Sequence, residues 1–262
     1  MAAQSHSVTA VSLRGVGKTF ANGVSALSDF SFTVRDGEFV SLLGPSGCGK
    51  STALRIIAGL MPPSLGQADV LEGRRRAGEI GFVFQEPTLM PWATVADNVR
   101  LPFRLRGDAG GDTERKVAQA LERVGLAGFA GAYPRELSGG MKMRVSIARA
   151  LVTEPSLLLM DEPFAALDEI TRFRLNNDLL ALWRMLRCTV IFVTHSVFES
   201  VYLSQRIVVM TPRPGRAFRE LVIDAPYPRD EAFRTSADYA GYCRRVSETL
   251  AEAMADNTGE AA

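Results

Sequence analysis

The chain has 262 residues, of which 47% are hydrophobic and 23% charged, ordinary for a soluble globular protein with one large domain or two smaller ones. With 30 Lys and Arg against 29 Asp and Glu, the formal charge is +1, which argues against broad electrostatic capture of nucleic acid. Cys48, Cys188 and Cys243 have no metal-like spacing and read as reduced thiols. Met1 to Thr9 lack an apolar signal core, and no run approaches the roughly 20 apolar residues of a membrane-spanning helix. Any work at a membrane is therefore expected to run through partners.

Residues 8 to 43 alternate short apolar runs with turn signals such as Ala21-Asn22-Gly23 and Arg35-Asp36-Gly37, which predicts antiparallel strands and hairpins. Phe39 to Leu43 is a buried strand leading into Gly44-Pro45-Ser46-Gly47-Cys48-Gly49-Lys50-Ser51-Thr52. A helix follows from Ala53 and closes at Gly59. Glu79 to Phe84 is a further strand, and Arg74-Arg75-Arg76 before it reads as a solvated turn. Residues from about 92 to 153 look mainly helical. Thr94 and Asp97 form a capping pair, and Val117, Leu121 and Val124 recur at helical spacing before a stop at Gly125. Three parallel-type strands follow, Ser156 to Met160, Thr189 to Thr194 and Arg206 to Met210. A helix marked by Leu175, Leu179, Leu182, Trp183 and Leu186 separates the first two. The pattern is α/β with a helical insertion. Beyond Pro212 come Pro-rich turns and a helix-like tail.

The loop from Gly44 to Thr52 fits G-x-x-x-x-G-K-[ST] between a strand and a helix, the arrangement that wraps backbone N–H groups around phosphates at a positive helix end. Gly44, Gly47 and Gly49 allow close backbone approach, Lys50 can bridge the outer phosphates, and the Ser51 hydroxyl can hold Mg²⁺. Leu157 to Met160 is an apolar strand ending in Asp161 and Glu162. Asp161 suits the metal shell; Glu162 can polarise an attacking water as general base. Leu137-Ser138-Gly139-Gly140-Met141 opens another helix, with Met141, Val145, Ala148 and Val152 on its apolar face. Ser138 and the glycines could simply cap it. Yet Lys142 and Arg144 occupy first turns where the dipole prefers acids, which hints at a received anion.

Leu-Ser-Gly-Gly followed by a basic helix and by Asp161-Glu162-Pro163 resembles the signature of ATP-binding-cassette ATPases, over about residues 8 to 215. The resemblance implies a phosphate-loop NTPase core of RecA-like type, with an N-terminal antiparallel β subdomain, a helical subdomain inserted at about 92–153, and a C-terminal tail at 216–262 of unassigned role. It implies ATP and Mg²⁺ as cofactors. Phe20 matches the residue that stacks on adenine. Gln85 matches the glutamine that links the metal site to a membrane subunit, and joins Ser51 and Asp161 around the metal. His195 matches the histidine that contacts the γ-phosphate, and Asp168, in Ala166-Leu167-Asp168, the D-loop aspartate. Lys50, Gln85, Glu162 and His195 are thus the expected catalytic set. Two copies, or this chain and a homologous subunit, would pack head to tail. Each ATP would lie between one phosphate loop and the other protomer's Ser138, Gly139, Gly140 and Asp168. Met141 and Met143 depart from the family's usual residues.

Gln85 to Val99, Asp161 to Asp168 and Val209 to Gly215 resemble the nitrate/sulfonate/taurine importer group. This implies integral membrane permease subunits as partners and, indirectly, a periplasmic or lipid-anchored solute-binding protein, with no nucleic acid. It also implies a peripheral place on the cytoplasmic face of the inner membrane. Leu89, Met90, Pro91 and Trp92 form an apolar, partly rigid segment on which a permease helix could dock, or which could belong to the chain's own core. The rival readings are a non-transport cassette acting on nucleic acid or ribosomes, and a phosphate-loop kinase or GTPase switch. The signature and His195 speak against the last.

Overall fold

The computed structural model describes residues 8–71, 79–108, 110 and 112–256; the arginine run 74–76 lies outside them. In chain order the elements are β1 (Thr9–Thr19), β2 (Ser25–Arg35), β3 (Phe39–Leu43), α1 (Lys50–Ile57) and β4 (Leu65–Val70). Then come β5 (Ile80–Val83), α2 (Val95–Arg106), α3 (Thr113–Arg123), α4 (Gly139–Leu151), β6 (Leu157–Asp161) and α5 (Glu169–Leu186). The last are β7 (Thr189–Thr194), α6 (Val197–Leu203), β8 (Arg206–Met210), β9 (Ala217–Val222), α7 (Glu231–Arg234) and α8 (Ala237–Asp256).

The chain divides into two compact units, one holding the described residues up to 71 and those from Cys188 onward, the other those from 79 to Arg187. In the first unit, β1 pairs antiparallel with both β2 and β4. Alternation along β2 turns Phe30, Phe32 and Val34 inward, the period of a sheet with one buried face. β3 is different. It pairs in parallel with β7 on one side and β8 on the other, and each of its residues is buried. Near-continuous apolar runs such as Phe39 to Leu43 and Thr189 to Thr194 are what a central parallel strand requires. The carbonyl-end turns of β3 and β7 carry the phosphate loop and His195, respectively. β9 then pairs antiparallel with β8, so residues 217–222 extend this sheet. A two-pronged bond from Arg206 to Glu38, both contacts 2.9 Å, ties β8 to the start of β3.

In the second unit β5 and β6 pair in parallel. Thr94 caps α2, accepting from the Asp97 amide at 3.1 Å, as the sequence predicts. The buried Asn98 side chain hydrogen-bonds Met90, Ala93 and Thr94 and so fixes the loop before α2. α3 buries Val117, Ala120 and Leu121. α4 buries more than the expected stripe: Met143, Val145, Ile147, Ala148, Ala150 and Leu151 all lie in the core, whereas Met141 is only half-buried. Met143 thus acts as packing, an adaptable side chain in a place where a polar one would need a partner. Among the described residues no helix is long and apolar enough to cross a membrane.

Candidate functional site

The first unit carries Phe20, the loop from Gly44 to Thr52, and His195. β3 delivers the chain to Gly44, and α1 starts at Lys50. The hinge between them is Gly49, at φ 106°, where a Cβ would lie 2.6 Å from the Ala26 carbonyl oxygen; only glycine combines that conformation with that contact. Lys50 is buried, and its ammonium donates to the Gly44 and Pro45 carbonyls at 2.8 and 2.9 Å. The lysine therefore holds its charge inside the curl of the loop, at the N-terminus of α1. Ser51 and Thr52 are half-buried on the first turn, Pro45 is half-buried, and Ser46 and Gly47 face solvent. Cys48 is buried as a small packing residue.

Arg213 and Gly215, both in the Val209–Gly215 segment, hold this region from outside the loop. Arg213 Nε donates to the Gly47 carbonyl at 3.0 Å. Gly215 exchanges backbone hydrogen bonds with β2, its amide to Ala26 at 2.9 Å and its carbonyl from Ser28 at 3.2 Å. Phe20 is half-buried just beyond β1, with the Lys18 ammonium 6.0 Å from its ring centre. His195 is exposed between β7 and α6.

The second unit carries Gln85, Ser138, Gly139, Gly140, Asp161, Glu162 and Asp168. Asp161 ends β6 with 8% of its surface exposed. Glu162 follows with φ 45°, a left-handed conformation that a non-glycine residue holds only when its surroundings impose it, and one that concentrates at functional sites. Gln85 is exposed just after β5. Its loop is gripped by Arg149 of α4, which donates to the Pro87 carbonyl at 2.8 Å and to the Thr88 carbonyl and hydroxyl at 2.9 Å each. Burial pushes the Arg149 guanidinium below its usual pKa, but three acceptors hold it in place.

Ser138 is exposed and caps α4, accepting from the Met141 amide at 3.3 Å. Ser138 is thus a true N-cap of this helix. Gly140 meets its own chain closely, since a Cβ there would stand 2.7 Å from Thr171 Cγ2. Asp168 caps α5 by accepting from the Thr171 amide at 2.9 Å, and that amide holds its carboxyl below the usual range. One expectation needs correcting. Lys142 and Arg144 are expected to receive an anion at the start of α4, but Arg144 does not await one. It instead pairs with Asp178 of α5 at 2.6 Å and reaches the Val124 carbonyl at 3.4 Å.

Trp92 is 76% exposed and Pro91 is exposed, while Leu89 and Met90 are half-buried. A groove of about 530 Å³, which sequence reading missed, opens in this same unit, lined among others by Phe82, Phe84, Leu101, Leu105, Arg106 and Arg149. Its residues come from β5, α2 and α4, so no single stretch of sequence announces it.

The family profile described as ABC transporter matches residues 27–165. The chain belongs to the ABC transporter family. Its cassette is 50% identical over 213 residues to the aliphatic sulfonates import ATP-binding protein SsuB 1 of Pseudomonas savastanoi pv. phaseolicola, covering 81% of this chain and 85% of that protein. It is 47% identical over 232 residues to an uncharacterized ABC transporter ATP-binding protein of Methanocaldococcus jannaschii, covering 87% and 85%. Among solved structures, the ATP-binding cassette MJ0796, a dimer in a post-hydrolysis state bound to ADP and Pi, superposes with a TM-score of 0.71. The identity is 34%, and the match covers 82% of this chain and all of that one. The cassette of cbiO1 from Clostridium perfringens, part of the transporter complex cbiONQ, gives 0.72 at 27% identity, covering 81% and 88%. The expected fold class holds: this is an α/β nucleotide-binding ABC cassette and an ATPase.

Proposed function

We propose that this cassette is the ATP-hydrolysing subunit of an importer for a small anionic solute of the sulfonate type, acting as a head-to-tail dimer on separate permease subunits at the cytoplasmic face of the membrane. The observation that carries the reading is a full, correctly ordered set of motif residues in a chain half identical to an aliphatic sulfonates import ATP-binding protein. In this reading Phe20 stacks on adenine, while the loop amides, Lys50 and the dipole of α1 receive the phosphates. Ser138, Gly139, Gly140 and Asp168 come from the second protomer. Each hydrogen-bond donor among Ser138 and the two glycine amides would be worth about 3 kcal/mol in a water-excluded site, which favours ATP as the element that holds two protomers together.

Ser51, Asp161 and Gln85 offer hard oxygen donors that suit Mg²⁺ carried on phosphates, a metal that binds with one or two carboxylates rather than in an all-protein cage. Among the described residues there is no cluster of three or more His, Cys, Asp or Glu that could hold a metal ion. Bound there, Mg²⁺ would neutralise developing phosphate charge. Glu162 takes a proton from the attacking water, and His195 contacts the γ-phosphate.

Glu162→Gln tests this directly. ATP binding should persist while turnover falls by at least about 10²-fold, the share of a general base, and a nucleotide-bound dimer should accumulate on gel filtration. Normal steady-state hydrolysis by the variant would overturn the assignment of Glu162. For the permease contact, Trp92→Glu should leave the isolated cassette folded with basal hydrolysis intact, yet abolish solute-stimulated hydrolysis in the reconstituted transporter. Loss of folding would instead show that the Leu89–Trp92 segment supports the chain's own fold.

A further inference from the structure

The segment after β9 grips the helix that starts just behind His195. α6 spans only Val197 to Leu203, too short to persist alone in water, and a helix end leaves its last carbonyls without partners. Here four consecutive carbonyls at that end are all satisfied from one later stretch of chain. The Arg229 guanidinium donates to Val201, Tyr202 and Ser204 at 2.9, 3.0 and 2.9 Å, and the Tyr227 hydroxyl donates to Leu203 at 2.8 Å. Arg229 is 5% exposed and lies over the Tyr227 and Phe233 rings, at 4.2 and 5.4 Å from their centres. Its other arm holds its own segment through the Ile223 and Ala225 carbonyls, at 3.2 and 3.1 Å.

The front of α6 is held as well. The Tyr239 hydroxyl of α8 donates to the Phe198 carbonyl at 3.0 Å, and Tyr239 packs against Tyr202 and Phe233. On the His195 side, Ser196 caps α6 through the Glu199 amide at 3.3 Å. The Thr194 hydroxyl donates to buried Glu199 at 2.6 Å and accepts from the Ser196 amide at 3.0 Å. His195 therefore sits between two residues that are hydrogen-bonded to each other and to α6.

We infer that the C-terminal segment from Ile223 to Asp256 is a positioning element of the ATPase, with Tyr227, Arg229 and Tyr239 fixing α6 so that His195 is presented in one place. The inference rests on the reading of His195 as a γ-phosphate contact. Buried helix-end carbonyls must find partners in any core; here all four bonds come from one segment whose further contact, Tyr239 to the Phe198 carbonyl, reaches the front of α6 just behind His195.

The test uses the full-length chain and removes hydroxyls only, in Tyr227→Phe/Tyr239→Phe, so that burial and ring packing are kept. In the wild-type background kcat for ATP should fall about fivefold or more, each lost hydrogen bond carrying a factor of that order, with KM for ATP within about twofold. In the His195→Ala background the same pair should cause no further loss, because the residue through which it acts is gone. An unchanged kcat in the folded pair, or an equal fractional loss in both backgrounds, overturns the inference while leaving the ATPase reading intact. If His195→Ala alone turns over ATP at the wild-type rate, the role of His195 fails, and the inference fails with it.

Discussion

The phosphate loop and the signature segment both place backbone amides at a helix N-terminus, yet they are finished in opposite ways. In the first unit the loop is closed on itself: Lys50 is buried against the Gly44 and Pro45 carbonyls, and Arg213 fixes Gly47 from outside. In the second, Ser138 and Gly139 are exposed, and among the described residues the serine makes a local cap with Met141. A cradle that is already shaped loses little entropy on receiving an anion. An exposed cap at a positive helix end is half of a contact. The difference fits the proposal of a site completed by a second copy.

The strongest way to break that comparison is a mixed dimer of Lys50→Ala and Ser138→Arg chains. Head-to-tail sharing concentrates both lesions in one of the two composite sites and leaves the other intact. Hydrolysis in the mixture should then recover at least about tenfold over either variant alone, given that loss of one phosphate-facing donor costs about 10²-fold or more. If the mixture stays as inactive as its parents, each chain uses its own signature and the contrast is wrong.

A smaller effect separates space from chemistry at Gly140. Gly140→Ala should destabilise the fold by about 1–3 kcal/mol, because the new methyl meets Thr171 Cγ2 at 2.7 Å. Adding Thr171→Ser removes that carbon and should restore the melting temperature. If hydrolysis recovers in parallel, Gly140 is needed only for its fit within its own chain. If it does not, the glycine is also needed by what approaches from outside.

The smallest effect is at Asp168, which caps α5 and is fully exposed. Because its pKa is held below the usual carboxylate value of about 3.9, its contribution is complete above that pH and is lost as pH falls through the folded value. The melting-temperature gap between wild type and Asp168→Asn should therefore be steady from neutrality down to about pH 5 and close in stronger acid. A gap that is constant throughout would mean that the cap does not depend on the charge.

Much of the fold was legible. Phe39 to Leu43 and Thr189 to Thr194 announce central strands because a strand buried on both faces must be largely apolar, with a polar residue such as Ser41 only where it finds a buried partner, here Ser204. Thr94 with Asp97, and Gly125, mark helix ends by local hydrogen bonding and φ alone. Arg144 misled because its partner, Asp178, lies 34 residues away on α5, and a dipole argument sees only the turn in which a residue sits. Met143 departs from the family's usual residue, and its burial against the helical core makes it a packing side chain.

What the sequence by itself determined was the contiguous chemistry: Gly44 to Thr52, Asp161-Glu162, Leu137 to Met141, and the order in which they come. Motifs of that kind are legible because neighbours in the chain are neighbours at the site. Only the tertiary structure decided which residues hold those motifs still. Arg213 reaches Gly47 across 166 residues, Arg149 reaches Thr88 across 61, and Arg229 reaches the end of α6 across more than 20. In each case the arginine bonds to main-chain carbonyls. Every residue has one, so no side chain in the sequence records where those bonds will fall.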